Sequence, residues 1–370
     1  MTNLRIPGPT PCPPEVLQAV GSPMVDHRGK HFAAIIQRTA ERLKDFFRTE
    51  GDVLILSASG TGGMEAAVVN TLSPGDKVLV VSIGAFGDRF AAIAETYGAQ
   101  VTMLPYEWGQ AADPQDVRRA LADDPAIKAV LVTHNETSTG VTNPLQEIAR
   151  VVRDADRLLL VDAISSLGAI PLDTDAWGLD VVVTGSQKGW MVPPGLAFVS
   201  MNQRAWKAYE SSRMPRFYFD LGKHRDLLPK GQTPWTPTVS IFFGLDLTLD
   251  RMASEGLESI FARHARIGGL VREGVKALGL ELLAADERFA SNTVTAIKCP
   301  EGVQVADLRR MLEDEYDVVL AGGQAKLSGK IFRVGHLGYV AEHEIREVLE
   351  ALEKALPRLG FQPSGVAAAP

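Results

Sequence analysis

Two hydrophobic patterns alternate along the first 200 residues. Short runs of Val, Leu and Ile, most of them continuous, are typical of strands covered on both faces. The predicted strands are DVLILSA, KVLVVSIG, VTMLPY, KAVLVTHN, RLLLVDAI, DVVVTGS and LAFVSM. Between them lie segments with apolar residues at helical spacing, namely GGMEAAVVNTL, FGDRFAAIAETYG, PQDVRRALADD and PLQEIARVVRDA. This alternation predicts an α/β fold with a mostly parallel, doubly wound sheet.

The pattern changes after about Gly244. One long helix is predicted over LDLTLDRMASEGLESIFARHARIGGLVREGVKALG, followed by the strands NTVTAIK and KIFRVGH and by two further helical segments. This indicates a smaller C-terminal α+β domain. We expect an N-terminal segment over 1–15, a large domain over 16–250, a small domain over 251–361, and a disordered tail over 362–370, where periodicity is lost.

Composition narrows the class of protein. The 370 residues are 45% hydrophobic and 22% charged with a net charge of −7, which is ordinary for a globular protein and argues against nucleic acid as a partner. No signal peptide and no apolar run of about 20 residues is visible, so no membrane association is expected. Two cysteines, Cys12 and Cys299, are too few for a disulfide framework. These features favour a cytoplasmic location.

Polar residues follow several predicted strands, where an open parallel sheet binds ligands. In SASGTGGMEAAVV a strand runs into a glycine-rich turn and a helix, an arrangement that offers backbone N–H groups to a phosphate. A dinucleotide fingerprint would need a small residue where Glu65 stands, and a P-loop would need a G-K-[ST] sequence that the chain lacks. A tight turn without a ligand stays an alternative.

Two titratable residues also end predicted strands. Asp162 follows LLLV, and Lys188 follows VVVTGSQ. Taken singly, Asp162 could cap a helix and Lys188 could be a solvated loop residue. Together with a phosphate-binding turn, they match the needs of pyridoxal 5′-phosphate: a lysine to form an imine, an acid to keep the ring nitrogen protonated, and a phosphate site. Burial would also lower the pKa of the lysine and favour its free amine.

These residues lie in motifs that resemble those of the class V, fold-type-I pyridoxal-phosphate aminotransferases, in particular the alanine–glyoxylate, serine–glyoxylate and serine–pyruvate group. The resemblance spans nearly the whole chain. It is carried by PGPTPCPPEVLQAV, HRGKHF, SGTGGMEAAVVNTLSPGD, HNETSTGV, VDAISSLGAIPLDTDAWGLDVVVTGSQKGWMVPPG and FRVGHLG. It implies the fold-type-I architecture of the pyridoxal-phosphate transferases.

The resemblance assigns roles to individual residues. Lys188 corresponds to the lysine that binds the cofactor and moves the proton, and Asp162 to the partner of the ring nitrogen. The phosphate ligands correspond to Ser59, Gly60, Thr61 and Gln187. Thr137 corresponds to the hydroxyl on the phenolic oxygen, whereas Phe86 and Ile164 pack on the two faces of the ring. Arg333 corresponds to the arginine that binds the substrate α-carboxylate.

The neighbouring subunit is also implied in the site. In the family, a hydroxyl from the second subunit reaches the phosphate, and the segment GQTPWTPTVS occupies that region. Thr236 is the expected donor, with Gln232 and Thr233 as alternatives, because the segment lacks the tyrosine of some members. This implies a homodimer with shared active sites.

The implied activity is a ping-pong transamination from a small amino acid, Ala or Ser, to a small 2-oxo acid, glyoxylate or pyruvate. Ureidoglycine–glyoxylate or phosphoserine transamination remains open, and so does a non-catalytic binding protein with this fold. Cysteine desulfuration is disfavoured because neither cysteine lies in a suitable segment. No metal site is expected, since His27 and His31 are separated by Gly29 and flanked by basic residues.

Overall fold

The computed structural model describes residues 2–362. The predicted tail, apart from its first residue, lies outside the described residues. The strands are β1 (Asn3–Arg5), β2 (Val53–Leu56), β3 (Lys77–Ser82), β4 (Gln100–Pro105), β5 (Ile127–Thr133), β6 (Asn135–Glu136), β7 (Val141–Thr142), β8 (Leu158–Asp162), β9 (Val181–Gly185), β10 (Ala197–Met201), β11 (Val294–Lys298), β12 (Val318–Gly322) and β13 (Ile331–Gly335). The α-helices are α1 (Pro14–Val20), α2 (Lys30–Phe47), α3 (Gly60–Thr71), α4 (Ala85–Thr96), α5 (Pro114–Asp123), α6 (Leu145–Asp154), α7 (Thr174–Trp177), α8 (Gln203–Ser211), α9 (Leu221–Leu227), α10 (Val239–Glu255), α11 (Leu257–Ala277), α12 (Val305–Tyr316) and α13 (Glu342–Arg358).

The seven strands predicted from the first half of the chain form one sheet in the order β2-β10-β9-β8-β5-β3-β4. Its pairs β9-β8, β8-β5, β5-β3 and β3-β4 are parallel, and β10 is antiparallel to both of its neighbours. The predicted α/β fold with a mostly parallel sheet is therefore confirmed.

Helices cover both faces of this sheet. Side chains of β2 alternate between two apolar clusters: Val53 and Ile55 join a cluster with α2, α5, α6 and α10, and Leu54 and Leu56 join one with α3, α4 and α8. All four of these strand residues are buried. Burial on both faces explains why the strands appear in the sequence as continuous apolar runs.

A second sheet, with the order β1-β12-β13-β11, packs against a third apolar cluster with residues from α11, α12 and α13. Its first strand comes from the N-terminus: β1 pairs in parallel with β12, with Asn3 opposite Val318. Neither β1 nor β12 was predicted from the pattern. The first strand of the chain therefore belongs to the small sheet, and the strands of the large sheet follow it in sequence.

The prediction of a single long helix after Gly244 is wrong. Two helices, α10 and α11, meet at Gly256, whose φ of 81° and ψ of 138° are not helical. Glycine adopts this positive φ without the steric cost that a Cβ atom would bring. The apolar spacing continues on both sides of the break, which is why the pattern alone does not reveal it.

Candidate active site

The carboxyl ends of β5, β8 and β9 lie side by side in the large sheet. Asp162, the last residue of β8, pairs with Thr133 of β5 and with Val183 of β9. Lys188 follows the end of β9 by three residues. The parallel order of these strands therefore brings two residues that are 26 positions apart to the same edge.

The carboxylate of Asp162 is buried in a polar pocket. Oδ1 accepts a hydrogen bond from the backbone N–H of Ile164 at 2.9 Å, and Oδ2 accepts one from Thr133 Oγ1 at 3.3 Å. Burial raises the pKa of Asp162 to about 7, and the negative charge of Glu136 adds to the rise. A buried carboxylate with so few donors is well suited to a cationic partner.

The loop that carries Lys188 joins β9 to the antiparallel β10. It is closed at its base, because the N–H of Ser186 donates to the carbonyl of Leu196 at 2.9 Å and the N–H of Leu196 donates to Ser186 Oγ at 3.2 Å. Trp190 within the loop is fully buried, and its Nε1 donates to Thr184 Oγ1 at 3.1 Å. These contacts fix the backbone beneath the lysine.

The amine of Lys188 contacts the N-terminal segment. Nζ donates a hydrogen bond to the carbonyl oxygen of Pro7 at 2.8 Å. Burial lowers the pKa of Lys188 to about 8; the negative charge of Asp162 opposes this shift, and the positive charges of Arg333 and Arg89 reinforce it. The free amine, which is the reactive form, is therefore a larger fraction near neutral pH than in an ordinary lysine.

The glycine-rich turn lies beside the lysine loop. α3 begins at Gly60, and the side chain of Ser59, its N-cap residue, makes no capping hydrogen bond. A Cβ atom on Gly185 would lie 3.4 Å from the backbone nitrogen of Gly60 and 3.3 Å from Gln187 Oε1. Oε1 of Gln187 is buried and has no hydrogen-bond partner among the described residues. The N-terminus of α3 beside this loop fits a bound phosphate, and the NH₂ group of the Gln187 amide is a donor of the kind a phosphate accepts from.

Residues predicted for the two ring faces lie near this turn. A Cβ atom on Gly60 would come within 2.5 Å of Ile164 Cδ1, so Ile164 packs directly on the turn. Phe86 stands in the first turn of α4. The guanidinium carbon of Arg89 lies 4.7 Å from the centroid of the Phe86 ring, and Arg89 Nη1 donates to Thr61 Oγ1 at 3.4 Å. Sequence reasoning missed Arg89, since an exposed arginine on a helix carries no signal.

Arg333 and Thr137 are in direct contact. Arg333 on β13 is buried, with Nη1 donating to the carbonyl oxygen of Thr137 at 2.9 Å and Nε donating to that of Gly322 at 2.9 Å. Burial lowers the pKa of Arg333 to about 10. No salt bridge to Arg333 occurs within residues 2–362. A buried guanidinium without a carboxylate partner is suited to an anionic ligand.

The residue predicted to bridge the subunits lies in the segment between α9 and α10. Thr236 is exposed. Thr233 Oγ1 donates to the carbonyl of Trp235 at 2.7 Å, and Gln232 Oε1 accepts from Arg28 Nη1 at 3.1 Å. Of the three residues considered for this role, Thr236 is thus the one whose side chain faces solvent.

A family model described as Aminotransferase class-V matches residues 4–339, which include every element of the site. The chain belongs to the class V aminotransferase family. It is accordingly an aminotransferase, as its sequence motifs predicted.

Known proteins resemble the chain over almost its full length. A soluble hydrogenase small subunit from Synechococcus sp. is 47% identical over 99% of this chain and 97% of the relative. An L-aspartate–glyoxylate aminotransferase from Paracoccus denitrificans is 38% identical over 98% and 94%, and a serine–glyoxylate aminotransferase from Methylorubrum extorquens 38% over 99% and 94%. The crystal structure of pyridoxamine–pyruvate aminotransferase from Mesorhizobium loti superposes with a TM-score of 0.94, at 31% identity over 98% of this chain and 93% of that one.

The name of the hydrogenase relative makes the cysteine and metal-ligand content of this chain relevant. Iron–sulfur clusters are usually held by four cysteine thiolates, whereas the chain has two cysteines. Burial raises the pKa of Cys12 to about 11 and also raises that of Cys299, so both thiols stay protonated near neutral pH. No group of three or more His, Cys, Asp or Glu residues within 2–362 is arranged to hold a metal ion. The same thiols give no support to a desulfurase nucleophile.

Proposed function

We propose that this aminotransferase uses pyridoxal 5′-phosphate to transfer the amino group of a small amino acid, alanine or serine, to a small 2-oxo acid, glyoxylate or pyruvate. The observation that carries the proposal is that Lys188 and Asp162 lie at the same edge of the large sheet. Their pKa values are shifted toward each other, to about 8 and about 7, by burial. A lysine that can lose its proton beside an acid that needs a cation is the combination that this cofactor requires.

The residues present fit the cofactor. When bound, pyridoxal phosphate supplies a carbon that accepts an amino group and a ring that withdraws electrons from the Cα–H bond of the substrate. Asp162 would pair with the protonated ring nitrogen and thereby gain its missing cationic partner. Gln187 and the N-terminus of α3, with Ser59, Gly60 and Thr61, would hold the phosphate. Phe86, Ile164 and Thr137 would orient the ring.

Lys188 would move the proton. As a free amine, Nζ can accept the proton from the substrate Cα and return it to the neighbouring carbon of the cofactor. The carbonyl of Pro7 accepts a hydrogen bond from Nζ, which gives the amine a defined resting position. The low pKa of Lys188 keeps both protonation states accessible near neutral pH.

Arg333 would bind the α-carboxylate of the amino acid. Two of its nitrogens are held by the carbonyls of Thr137 and Gly322, so the guanidinium is oriented before the substrate arrives. The names of the two 38% identical relatives share glyoxylate as a substrate and differ in the amino donor, aspartate in one and serine in the other. This supports a small 2-oxo acid as acceptor.

We also propose a homodimer with shared sites. Exposed Thr236 adjoins Trp235, whose ring stacks on Phe217 with centroids 4.7 Å apart. Phe217 and Tyr218 are exposed over 68% and 43% of their surfaces. Exposed aromatic residues of this size commonly belong to an interface. A second copy would cover them and would bring its Thr236 to the phosphate site.

The remaining proposals concern location and domain division. Both cysteines are unpaired, which suits a reducing cytoplasm. Within residues 2–362, no helix is long and apolar enough to cross a bilayer. The two sheets with their separate cores support a large domain over 16–250 and a small domain over 251–361, and the N-terminal segment 1–15 contributes β1 to the sheet of the small domain.

The test is a spectroscopic half-reaction. The protein incubated with pyridoxal phosphate should gain visible absorbance, and borohydride should fix the cofactor on Lys188, as peptide mass spectrometry would show; Lys188→Ala should show neither. Alanine and serine should then bleach the absorbance, glyoxylate or pyruvate should restore it, and steady-state kinetics should give parallel lines. A protein that stays colourless after addition of the cofactor would contradict the proposal.

A further inference from the structure

Glu136 is a fully buried carboxylate that has no part in the proposed chemistry. It lies on β6, and its two oxygens together accept four hydrogen bonds. Oε2 accepts from the backbone N–H groups of Phe86 at 2.9 Å and Gly87 at 3.2 Å. Oε1 accepts from the N–H of Ser138 at 3.0 Å and from its Oγ at 2.6 Å. Burial raises the pKa of Glu136, and the four donors oppose this rise because they favour the ionised form.

The carboxylate occupies the N-terminus of α4. The N-cap residue of this helix is Gly84, which has no side chain to cap with. Ser138 Oγ accepts from the N–H of Ala85 at 3.0 Å, so Glu136 and Ser138 together satisfy the first three N–H groups of the helix. A Cβ atom on Gly84 would come within 2.5 Å of Glu136 Cδ. The helix dipole adds to the stability of the negative charge at this position.

Three parts of the site are connected to this carboxylate, either directly or through Thr137. Phe86 is expected on the ring face, and its backbone N–H donates a hydrogen bond to Glu136. Thr137, expected on the phenolic oxygen, lies between Glu136 and Ser138. Arg333, expected on the substrate carboxylate, donates to the carbonyl of Thr137 at 2.9 Å. One side chain is therefore connected to the contacts of both the cofactor and the substrate.

We propose that Glu136 is a positioning residue that sets the cofactor contacts of Phe86 and Thr137 and the substrate contact of Arg333 relative to one another. The inference rests on the proposed function. Glu136 has no assigned contact to the cofactor or to the amino acid. The proposal nevertheless requires that a single substitution of Glu136 weakens the binding of both. A carboxylate with only a structural role would change stability and leave both affinities unchanged.

Glu136→Gln is the decisive variant. The amide oxygen can keep the bonds from Phe86 and Gly87, but the NH₂ group cannot accept from the Ser138 N–H, so the turn at Thr137 should shift. We expect dissociation constants about tenfold higher for pyridoxal phosphate, from absorbance titration, and for the amino acid, from the half-reaction. The visible circular dichroism of the bound cofactor should also change, because its ring orientation depends on Thr137.

A double-mutant cycle tests the connection to Arg333. If Glu136 acts through Arg333, the amino-acid affinity lost in Glu136→Gln combined with Arg333→Gln should be smaller than the product of the two single losses. Fully multiplicative losses would overturn the proposal.

Ser138→Ala is the second variant, and it decides the question if Glu136→Gln does not fold. It keeps the charge and removes the hydroxyl that joins Glu136 to the N–H of Ala85, so cofactor affinity should fall about threefold. If the wild-type protein binds the cofactor and the folded variants bind both ligands as wild type does, the inference alone is wrong. If the wild-type protein binds no pyridoxal phosphate, the proposed function is wrong as well.

Discussion

Lys188 Nζ and the carbonyl oxygen of Pro7 form a hydrogen bond of 2.8 Å. Pro7 lies two residues after Arg5, which ends a strand of the small sheet. The N-terminal segment thus runs from the small sheet to the lysine amine at the edge of the large sheet. Thr10 adds to this contact, because its N–H donates to the carbonyl of Gln187 at 3.1 Å and its Oγ1 to that of Lys188 at 3.1 Å. The N-terminal segment is therefore part of the site.

Gly8→Ala should disturb this contact. A Cβ atom on Gly8 would overlap with Lys188 Nζ and lie 2.8 Å from Cε, and the φ of Gly8 is +143°. We expect the lysine to be displaced and the affinity for pyridoxal phosphate to fall about tenfold, as measured by absorbance titration. Gly302→Ala is the matched control: its φ is +83°, with no atom within 4 Å of the added Cβ. It should lose stability only, and equal affinities for the two variants would contradict the prediction.

Asp162→Asn should slow the half-reaction and, without cofactor, change how the stability depends on pH. Asn can keep the bonds to Ile164 and Thr133 but cannot neutralise a protonated ring, so the rate of the half-reaction should fall at least about 100-fold. The folded-state pKa of Asp162, about 7, is above its unfolded value near 3.9. The protonated acid therefore favours folding below pH 4, and this contribution is lost as the pH rises through 7.

The stability side of this prediction is measured without cofactor. Melting temperatures of wild type and Asp162→Asn should converge near pH 4 and diverge as the pH rises to 8, with the variant the more stable. A variant that is less stable at pH 8 would show that Asp162 already has a cationic partner in the protein alone.

Arg333→Gln should act on substrate binding. The guanidinium is buried and lacks a carboxylate partner within residues 2–362, so its loss removes the only cation assigned to the α-carboxylate. We expect the dissociation constant of the amino acid to rise about 10- to 100-fold in the half-reaction. Arg310→Gln, on an exposed arginine of α12 paired with Asp307, is the control and should match wild type. A pure rate effect at unchanged affinity would assign the α-carboxylate to another group.

His264 should make the protein sensitive to acid. Its Nε2 accepts from the N–H of Gly338 at 3.0 Å, so Nδ1 carries the proton and donates to the carbonyl of Ile260 at 2.8 Å. Burial lowers the pKa of this neutral ring to about 3. The contribution of neutral His264 to the free energy of unfolding is therefore fully present above the unfolded pKa near 6.5, and it is lost as the pH falls toward 3.

Denaturant unfolding between pH 7.5 and 5 would measure this effect. The free energy of unfolding of wild type should fall relative to His264→Gln by up to about 1.4 kcal/mol per pH unit once the pH is well below 6.5. The comparison with the variant removes the opposing contribution of Asp162, which both proteins share. Parallel pH profiles would mean that His264 is charged in the folded protein.

The sequence was sufficient for the sheet edge that carries Asp162 and Lys188. Continuous apolar runs mark strands covered on both faces, and parallel strands place their carboxyl ends together, so the two residues could be brought to one edge without coordinates. The same argument found the turn at Gly60. It depends only on local pattern and on a general rule of sheet topology.

The missed features depend on contacts between distant residues. β1 has three residues, too few to show a period, and it pairs with residues more than 300 positions away. Glu136 lies within the motif HNETSTGV, but its distant partners are the backbone amides of residues 86 and 87, and every sequence carries such amides. Gly256 interrupts a helical pattern that continues on both sides. In each case the pairing depends on tertiary structure and leaves no trace in local composition.

The closed loop beneath Lys188 has a consequence for motion. Its ends are joined by hydrogen bonds between Ser186 and Leu196, and Trp190 holds its middle in the core. Few backbone conformations are open to such a loop, so little entropy is lost when a ligand binds beside it. The travel of Nζ between the carbonyl of Pro7 and a bound ligand must therefore come from rotation about the side-chain bonds of one lysine.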